Sequence, residues 1–134
     1  MTDVLLATDA DWIFDEVAAA LADGDTTVHR VRAGRDVRRT VAVIQPDLVI
    51  LDLQIGSMGG IATCLDLRLE SGAGRLPDQR ILLLLDREAD VFITREAKAD
   101  GYMIKPVDSF RIGRAAQALL DGGTWSEPVA APAR

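Results

Sequence analysis

The stretch LVILDLQIGSMGG, residues 48–60, places four large apolar residues directly before an aspartate and then a loop that contains three glycines. A continuous apolar run of this length is typical of a strand covered on both faces of a sheet. The carboxylate of Asp52, at the end of that run, is costly to bury unless a charged or hydrogen-bonding group meets it. The stretch therefore predicts a buried strand whose last residue is either a functional carboxylate or a strand-end cap satisfied by loop amides.

Short apolar runs and amphipathic segments alternate along the whole chain. The runs predict strands at residues 4–7, 26–31, 47–51, 81–85 and 102–104. The amphipathic segments predict helices at residues 12–21, 37–44, 61–69 and 88–99, and a fifth that begins at Asp108 and ends before Gly122. Five such units joined by right-handed crossovers give an α/β fold, a five-stranded parallel doubly wound (βα)5 sandwich with helices on both faces.

The length of 134 residues suits one compact domain, to which we assign residues 1–121. Residues 122–134 are rich in proline and alanine and are predicted to form a disordered tail. Cys64 is the only cysteine, which excludes an internal disulfide and fits a reducing compartment. The first residues lack the basic start of a signal peptide, and no apolar run approaches the ~20 residues that a membrane span needs. We therefore predict a cytoplasmic protein with no membrane partner.

The charge of the chain argues against nucleic acid as a partner. The formal net charge is −6 and the isoelectric point is about 4.7, whereas binding to nucleic acid without sequence preference depends on cationic side chains that meet phosphates. Arginines do cluster in residues 30–39, but they alternate with apolar residues at helical spacing and are interpreted as a solvated helix face.

Charged residues follow three of the predicted strands. Asp9 follows the first strand, Asp52 ends the third and Lys105 follows the fifth. Because ligands of such sheets bind beyond the carboxyl ends of the strands, these side chains are expected to converge. Two nearby carboxylates favour a hard cation such as Mg²⁺. Lys105 is one of only two lysines against thirteen arginines, so we expect its compact ammonium to offset charge or bind an anion there.

From Asp3 to about Leu120 the sequence resembles the receiver domain of two-component response regulators, which has a flavodoxin-like fold. The order and spacing of the matching pieces are specific together, although each piece is weak alone. These pieces are VLLATD (4–9), PDLVILDL (46–53), Gly60 and ADGYMIKP (99–106).

The resemblance implies a role for each residue at the carboxyl edge. Asp52 would be the phosphoacceptor, and Mg²⁺ would be bound by Asp9, Asp52 and the backbone carbonyl of Gln54. Lys105 would contact the phosphoryl group, and the peptide bond before Pro106 would be cis, which is uncommon. A carboxylate nucleophile with Mg²⁺ needs little more than positioning. The protein is therefore not expected to be an enzyme, beyond assisting its own phosphorylation and dephosphorylation.

The site departs from the family pattern at two positions. Thr8 stands where the family has the first of two adjacent acids, so Mg²⁺ binding is expected to be weak, and Asp11 is a candidate substitute further into the loop. Leu85 or Asp86 takes the position of a serine or threonine at the end of the fourth strand, and neither supplies a neutral hydroxyl. Tyr102 stands at the position of the family's switch aromatic. In the family that aromatic responds to the serine or threonine hydroxyl at the end of the fourth strand, which is missing here.

The resemblance implies a response regulator in phosphorelay signalling, and because the chain ends near residue 134 we predict a stand-alone, single-domain member. Its phosphoryl donor would be a sensor histidine kinase or a phosphotransfer protein, and its output would pass through protein–protein contacts, a homodimer among them. The target is expected at the face formed by the fourth helix, fifth strand and fifth helix, which corresponds to residues 87–98, 101–104 and 108–120.

A second hypothesis remains open at this point, namely a pseudo-receiver that binds its partner without phosphorylation. The missing acid and the missing hydroxyl support it. The presence of Asp9, Asp52 and Lys105 at their expected strand ends speaks against it.

Overall fold

The computed structural model describes residues 1–127 and contains one five-stranded sheet. Neighbouring strands are parallel throughout, and their order is β2-β1-β3-β4-β5. This arrangement confirms the predicted five-stranded parallel, doubly wound (βα)5 fold. The strands are β1 (Thr2–Ala7), β2 (Thr26–Val31), β3 (Leu48–Asp52), β4 (Ile81–Leu85) and β5 (Gly101–Ile104).

Five α-helices connect the strands and follow β5. They are α1 (Asp11–Leu21), α2 (Val37–Ile44), α3 (Gly60–Gly72), α4 (Val91–Glu96) and α5 (Ser109–Leu120). The fourth helix is shorter than the predicted 88–99, because residues Glu88–Asp90 form a 3-10 turn and Lys98 has a left-handed φ of 62°. In the described part of the chain, no helix is both long and apolar enough to cross a bilayer.

Every residue of β3 and β4 is buried, which explains their continuous apolar sequences. Alternate residues of each strand enter two separate cores, one on each face of the sheet. Leu51 and Leu83 pack on the face covered by α2, α3 and α4, whereas Ile50 and Leu84 pack on the face covered by α1 and α5. Burial of these aliphatic side chains, each worth roughly 1.5–3 kcal/mol, holds the carboxyl end of β3 at a fixed position.

A close packing contact fixes the loop that follows β3. The N–H of Gly60, the first residue of α3, donates to the carbonyl of Leu53 at 3.1 Å. A Cβ at Gly60 would lie 2.7 Å from the carbonyl oxygen of Asp52, which is closer than real side chains approach. A glycine at this position therefore lets α3 begin directly against the end of β3.

Trp125, in the segment predicted to be a disordered tail, pairs with the outer edge of β5. The N–H of Trp125 donates to the carbonyl of Asp100 at 3.3 Å, and the N–H of Tyr102 donates to the carbonyl of Trp125 at 3.1 Å. These bonds form a short parallel bridge between Gly101 and Trp125 at the outer edge of β5. The remainder of the predicted tail, residues 128–134, lies outside the described residues.

Candidate functional site

Asp52 is the most deeply buried carboxylate at the carboxyl edge of the sheet, with 2% of its surface exposed. Its Oδ1 accepts hydrogen bonds from the backbone N–H of Gln54 at 3.0 Å and from Nζ of Lys105 at 2.5 Å. Its Oδ2 accepts a hydrogen bond from the hydroxyl of Thr8 at 2.8 Å. Three donors, one of them charged, therefore offset the cost of burying this carboxylate.

Lys105 lies between two carboxylates. Its Nζ donates to Asp86 Oδ1 at 3.0 Å as well as to Asp52, and only 15% of its side chain is exposed. Burial alone would lower the pKa of Lys105, but the hydrogen bonds and negative charges of Asp52 and Asp86 outweigh it and raise the pKa above its usual value. The ammonium therefore stays charged at neutral pH.

Asp86, which follows β4, points into the site. Its Oδ2 accepts a hydrogen bond from the side-chain amide of Gln54 at 2.7 Å. Burial would raise the pKa of Asp86, but the hydrogen bonds from Gln54 and Lys105 and the charges of Lys105 and Arg87 lower it below its usual value. Leu85 is completely buried in the core instead. Of these two residues, Asp86 is the one whose side chain contacts Lys105.

Thr8 connects the β1 end to Asp52. The residue is completely buried, and its Oγ1 accepts a hydrogen bond from the N–H of Ala10 at 3.1 Å while donating to Asp52. The hydroxyl of Thr8 therefore satisfies the Asp52 carboxylate, which the acid that the family has at this position would repel. This contact also uses the Asp52 oxygen that faces β1.

Asp9 is exposed in the loop after β1 and makes no hydrogen bond or ion pair to any of residues 1–127. Its Oδ2 lies 3.8 Å from the position that a Cβ on Gly56 would occupy, so the carboxylate faces the loop after Asp52. Asp11 does not join it, because its carboxylate binds Arg30 at 2.9 Å and Arg32 at 3.4 Å. These arginines also hold the pKa of Asp11 below its usual value.

The oxygen donors at this edge fit a weakly held Mg²⁺. Two carboxylates, from Asp9 and Asp52, and the carbonyl of Gln54 are the hard ligands that Mg²⁺ prefers. Within residues 1–127 there is no group of three Asp, Glu, His or Cys side chains that could hold a metal ion. Both oxygens of Asp52 are also engaged by protein donors. A cation would therefore have to compete with Lys105 and Thr8 for Asp52.

Two residues of the site were not anticipated in the roles that the structure gives them. For Gln54, only the backbone carbonyl was expected to take part in the site. Its side-chain amide also donates to Asp86 and orients that carboxylate. Glu127, in the predicted tail, accepts a hydrogen bond from the hydroxyl of Tyr102 through its backbone carbonyl at 3.1 Å. The hydroxyl of Tyr102 therefore contacts a residue that follows α5. The Lys105–Pro106 peptide bond is cis.

The sequence profile of the response regulator receiver domain matches residues 4–117. Over 125 residues the chain is 28% identical to transcriptional regulatory protein AfsQ1 of Streptomyces coelicolor. The aligned segment covers 92% of this chain and 53% of that protein. Over 109 residues it is 33% identical to the DNA-binding response regulator MtrA of Mycolicibacterium paratuberculosis, covering 79% of this chain and 46% of that protein. The chain spans about half the length of the curated relatives it matches.

Solved structures show the same fold. The chemotaxis response regulator CheY4 of Vibrio cholerae superposes with a TM-score of 0.76 at 22% identity, covering 89% of this chain and 98% of that one. A putative response regulator from Chloroflexus aurantiacus superposes with a TM-score of 0.79 at 21% identity, covering 90% of this chain and 98% of that one. At these identities the likeness extends to the fold alone.

Proposed function

This chain belongs to the response regulator receiver domain family, and on that premise we propose that Asp52 is its phosphoacceptor in two-component signalling. The observation that carries the proposal is the contact between Lys105 Nζ and Asp52 Oδ1, at 2.5 Å, on a carboxylate that is almost completely buried. A buried nucleophile that faces an ammonium is poised for an electrophile whose negative charge the ammonium offsets.

The transfer follows from this arrangement. An Oδ atom of Asp52 forms a bond to phosphorus, while the bond from phosphorus to the donor's nitrogen or oxygen breaks and its electron pair leaves with the donor. The ammonium of Lys105 offsets the charge on the transferred oxygens, since its raised pKa keeps it protonated. Asp9, Asp52 and the carbonyl of Gln54 would hold Mg²⁺, which when bound neutralises charge on the phosphoryl group.

Asp86 limits the yield of this reaction. Its carboxylate accepts a hydrogen bond from Lys105, and in this proposal it stands in for the family's hydroxyl donor; its lowered pKa keeps it negative at neutral pH. Like charges at close range repel in a partly dry site. We therefore expect slow and incomplete phosphorylation.

The test is the intact mass of the protein after incubation with phosphoramidate or acetyl phosphate and Mg²⁺. A phosphoryl adduct on the wild type that is lost in Asp52→Asn supports the proposal. Asp47→Asn is the matched control, because Asp47 is an exposed carboxylate that lies before β3 instead of at its carboxyl end. An adduct that survives Asp52→Asn contradicts the assignment of Asp52.

A second candidate function is a phosphorylation-independent interaction module. The ion pair of Lys105 with Asp86 favours it, since Asp86 supplies a permanent negative charge beside Asp52 without any phosphoryl donor. No adduct from any small donor or kinase, together with partner binding that is unchanged in Asp52→Asn, would replace the first proposal with this one.

The partners follow from the family. Receiver domains of response regulators interact with histidine kinases and with effector targets. We propose that a sensor histidine kinase or a phosphotransfer protein is the donor here, and that the target, or a second copy of the chain, binds at the face formed by α4, β5 and α5. A stand-alone architecture stays a prediction, since the curated relatives are about twice as long.

A further inference from the structure

Arg30, near the end of β2, binds the loop between β1 and α1 at two points. Its Nε donates to the backbone carbonyl of Thr8 at 3.1 Å, and its Nη1 donates to Asp11 Oδ1 at 2.9 Å. Thr8 and Asp11 flank Asp9 in the sequence. One guanidinium therefore joins the two sides of the loop that carries Asp9.

The guanidinium of Arg30 is held in place by its surroundings. Its central carbon lies 5.1 Å from the centroid of the Phe14 ring, a distance typical of a cation–π contact. Only 12% of the Arg30 side chain is exposed, against 75% for Asp11. Its Nη2 is buried and has no hydrogen-bond partner among residues 1–127. Because little water reaches this cation, the charge-assisted bond to Asp11 is its main compensation within the described chain.

A continuous series of contacts connects Asp11 with the carboxyl edge of the sheet. Asp11 binds Arg30, Arg30 binds the carbonyl of Thr8, and the hydroxyl of Thr8 donates to Asp52 at 2.8 Å. A single guanidinium thus separates the Asp11 carboxylate from the residue that contacts Asp52. The edge otherwise offers a cation two carboxylates, those of Asp9 and Asp52, and neutral Thr8 adds no third. Asp11 is the nearby acid that Arg30 engages instead.

We propose that Arg30 sets the cation affinity of this site, because it holds the Asp11 carboxylate in an ion pair and keeps it from binding the cation. The proposal rests on the Mg²⁺ site of the proposed function. The positive charge of Arg30 also repels a divalent cation at the adjacent loop. Without Arg30, Asp11 supplies a third carboxylate, and affinity for a hard cation rises with the number of charged oxygen ligands.

Arg32 provides the matched control. It also contacts Asp11, but at 3.4 Å and with 62% of its side chain exposed. Exposed ion pairs of this kind contribute little, because solvent screens them. Removing Arg32 takes away the same charge as removing Arg30 and leaves the bond between Arg30 and Asp11 in place. Only the removal of Arg30 therefore releases the Asp11 carboxylate.

The experiment measures the binding of Mn²⁺ to the full chain from the electron paramagnetic resonance signal of the free ion, with Mg²⁺ as the competitor. Both ions prefer carboxylate and carbonyl ligands. Arg30→Met keeps an aliphatic stem against Phe14, and we expect it to bind the cation at least about tenfold more tightly than the wild type does. Arg30→Met with Asp11→Asn should return to within about twofold of the wild type, since it removes one charge of each sign.

Arg32→Met and Asp11→Asn alone should each change the affinity by no more than about threefold. Backbone amide spectra check that each variant is folded, and Arg30→Gln replaces Arg30→Met if the latter is not. The proposal is overturned if the folded Arg30 variant binds no more tightly than the wild type, or if its gain survives Asp11→Asn. A wild-type site that requires Asp52 but does not respond to Arg30→Met overturns the role of Arg30 alone. Absence of binding in every variant overturns the Mg²⁺ site of the proposed function as well.

Discussion

Lys105 and Asp86 form an ion pair of 3.0 Å, and the same ammonium also contacts Asp52 at 2.5 Å. If Asp52 is the phosphoacceptor, as proposed, the carboxylate of Asp86 competes with the phosphoryl group for the ammonium of Lys105. Gln54 holds that carboxylate in position through its side-chain amide. Asp86 therefore satisfies Lys105 in the resting protein, and its negative charge would oppose an anion bound to Lys105.

Replacing Asp86 with threonine should strengthen the response to a phosphoryl mimic. The substitution removes one negative charge and supplies one hydroxyl, and a hydrogen bond to a charged group is worth roughly 1.5–3 kcal/mol. We expect the affinity of Asp86→Thr for beryllofluoride, titrated in the presence of Mg²⁺ by calorimetry, to exceed that of the wild type by about tenfold to a hundredfold.

Leu85→Thr is the control for this prediction. Leu85 is completely buried, so threonine there should lower the midpoint of urea denaturation without improving beryllofluoride binding. A larger gain for Leu85→Thr than for Asp86→Thr would contradict the placement of Asp86 at the site.

The contribution of Asp86 to stability should depend on pH. Its pKa is lower in the folded protein than the ordinary value of 3.8, so its stabilising effect is present above that value and is lost as the pH falls through the folded pKa. Urea denaturation should show the largest difference between the wild type and Asp86→Asn near neutral pH, and the difference should shrink below pH 3.8. Asp9→Asn removes an exposed carboxylate and should show no comparable pH-dependent difference in stability from the wild type. A difference of equal size in Asp9→Asn would contradict the stabilising role of the Asp86–Lys105 ion pair.

The sheet could be predicted from sequence because its signals are local. Continuous apolar runs such as residues 48–51 and 81–85 identify strands that are covered on both faces, and Asp52 and Lys105 follow from their positions at strand ends. The choice between Leu85 and Asp86 could not be made in this way. It depends on how the strand ends pack, and the Leu85 carbonyl, bonded to the N–H of Lys105 at 2.8 Å, fixes a register that only tertiary contacts determine.

The contacts of residues 124–127 with β5 and α5 could not be predicted for a related reason. The composition of residues 122–134 is dominated by small residues and proline, which favours disorder. The order of residues 124–127 comes from distant partners, since Trp125 pairs with Gly101 and Glu127 with Ile104 and Arg111. The one sequence signal was an isolated tryptophan, Trp125, in an otherwise small and polar segment.

Mg²⁺ should bind weakly, and the binding should require both carboxylates. Trp12, which is 48% exposed and follows the Asp9 loop, serves as the fluorescent reporter of a Mg²⁺ titration. Saturable quenching should disappear in Asp9→Asn and in Asp52→Ala, because each variant removes a hard ligand. Thr8→Asp should tighten binding, since it restores a third carboxylate. Binding that is unchanged in both single-ligand variants would remove the cation from this edge of the sheet.

Removing the Lys105 side chain should destabilise the fold and also weaken the binding of a phosphoryl mimic. In Lys105→Ala, Asp52 and Asp86 lose the charge between them, and breaking a buried ion pair from one side costs about 3 kcal/mol or more. We expect the midpoint of urea denaturation to fall at pH 7. In Lys105→Ala with Asp86→Thr, which relieves the repulsion, stability should recover while beryllofluoride binding stays weak. Tight binding in that double variant would show that the ammonium of Lys105 does not contact the anion.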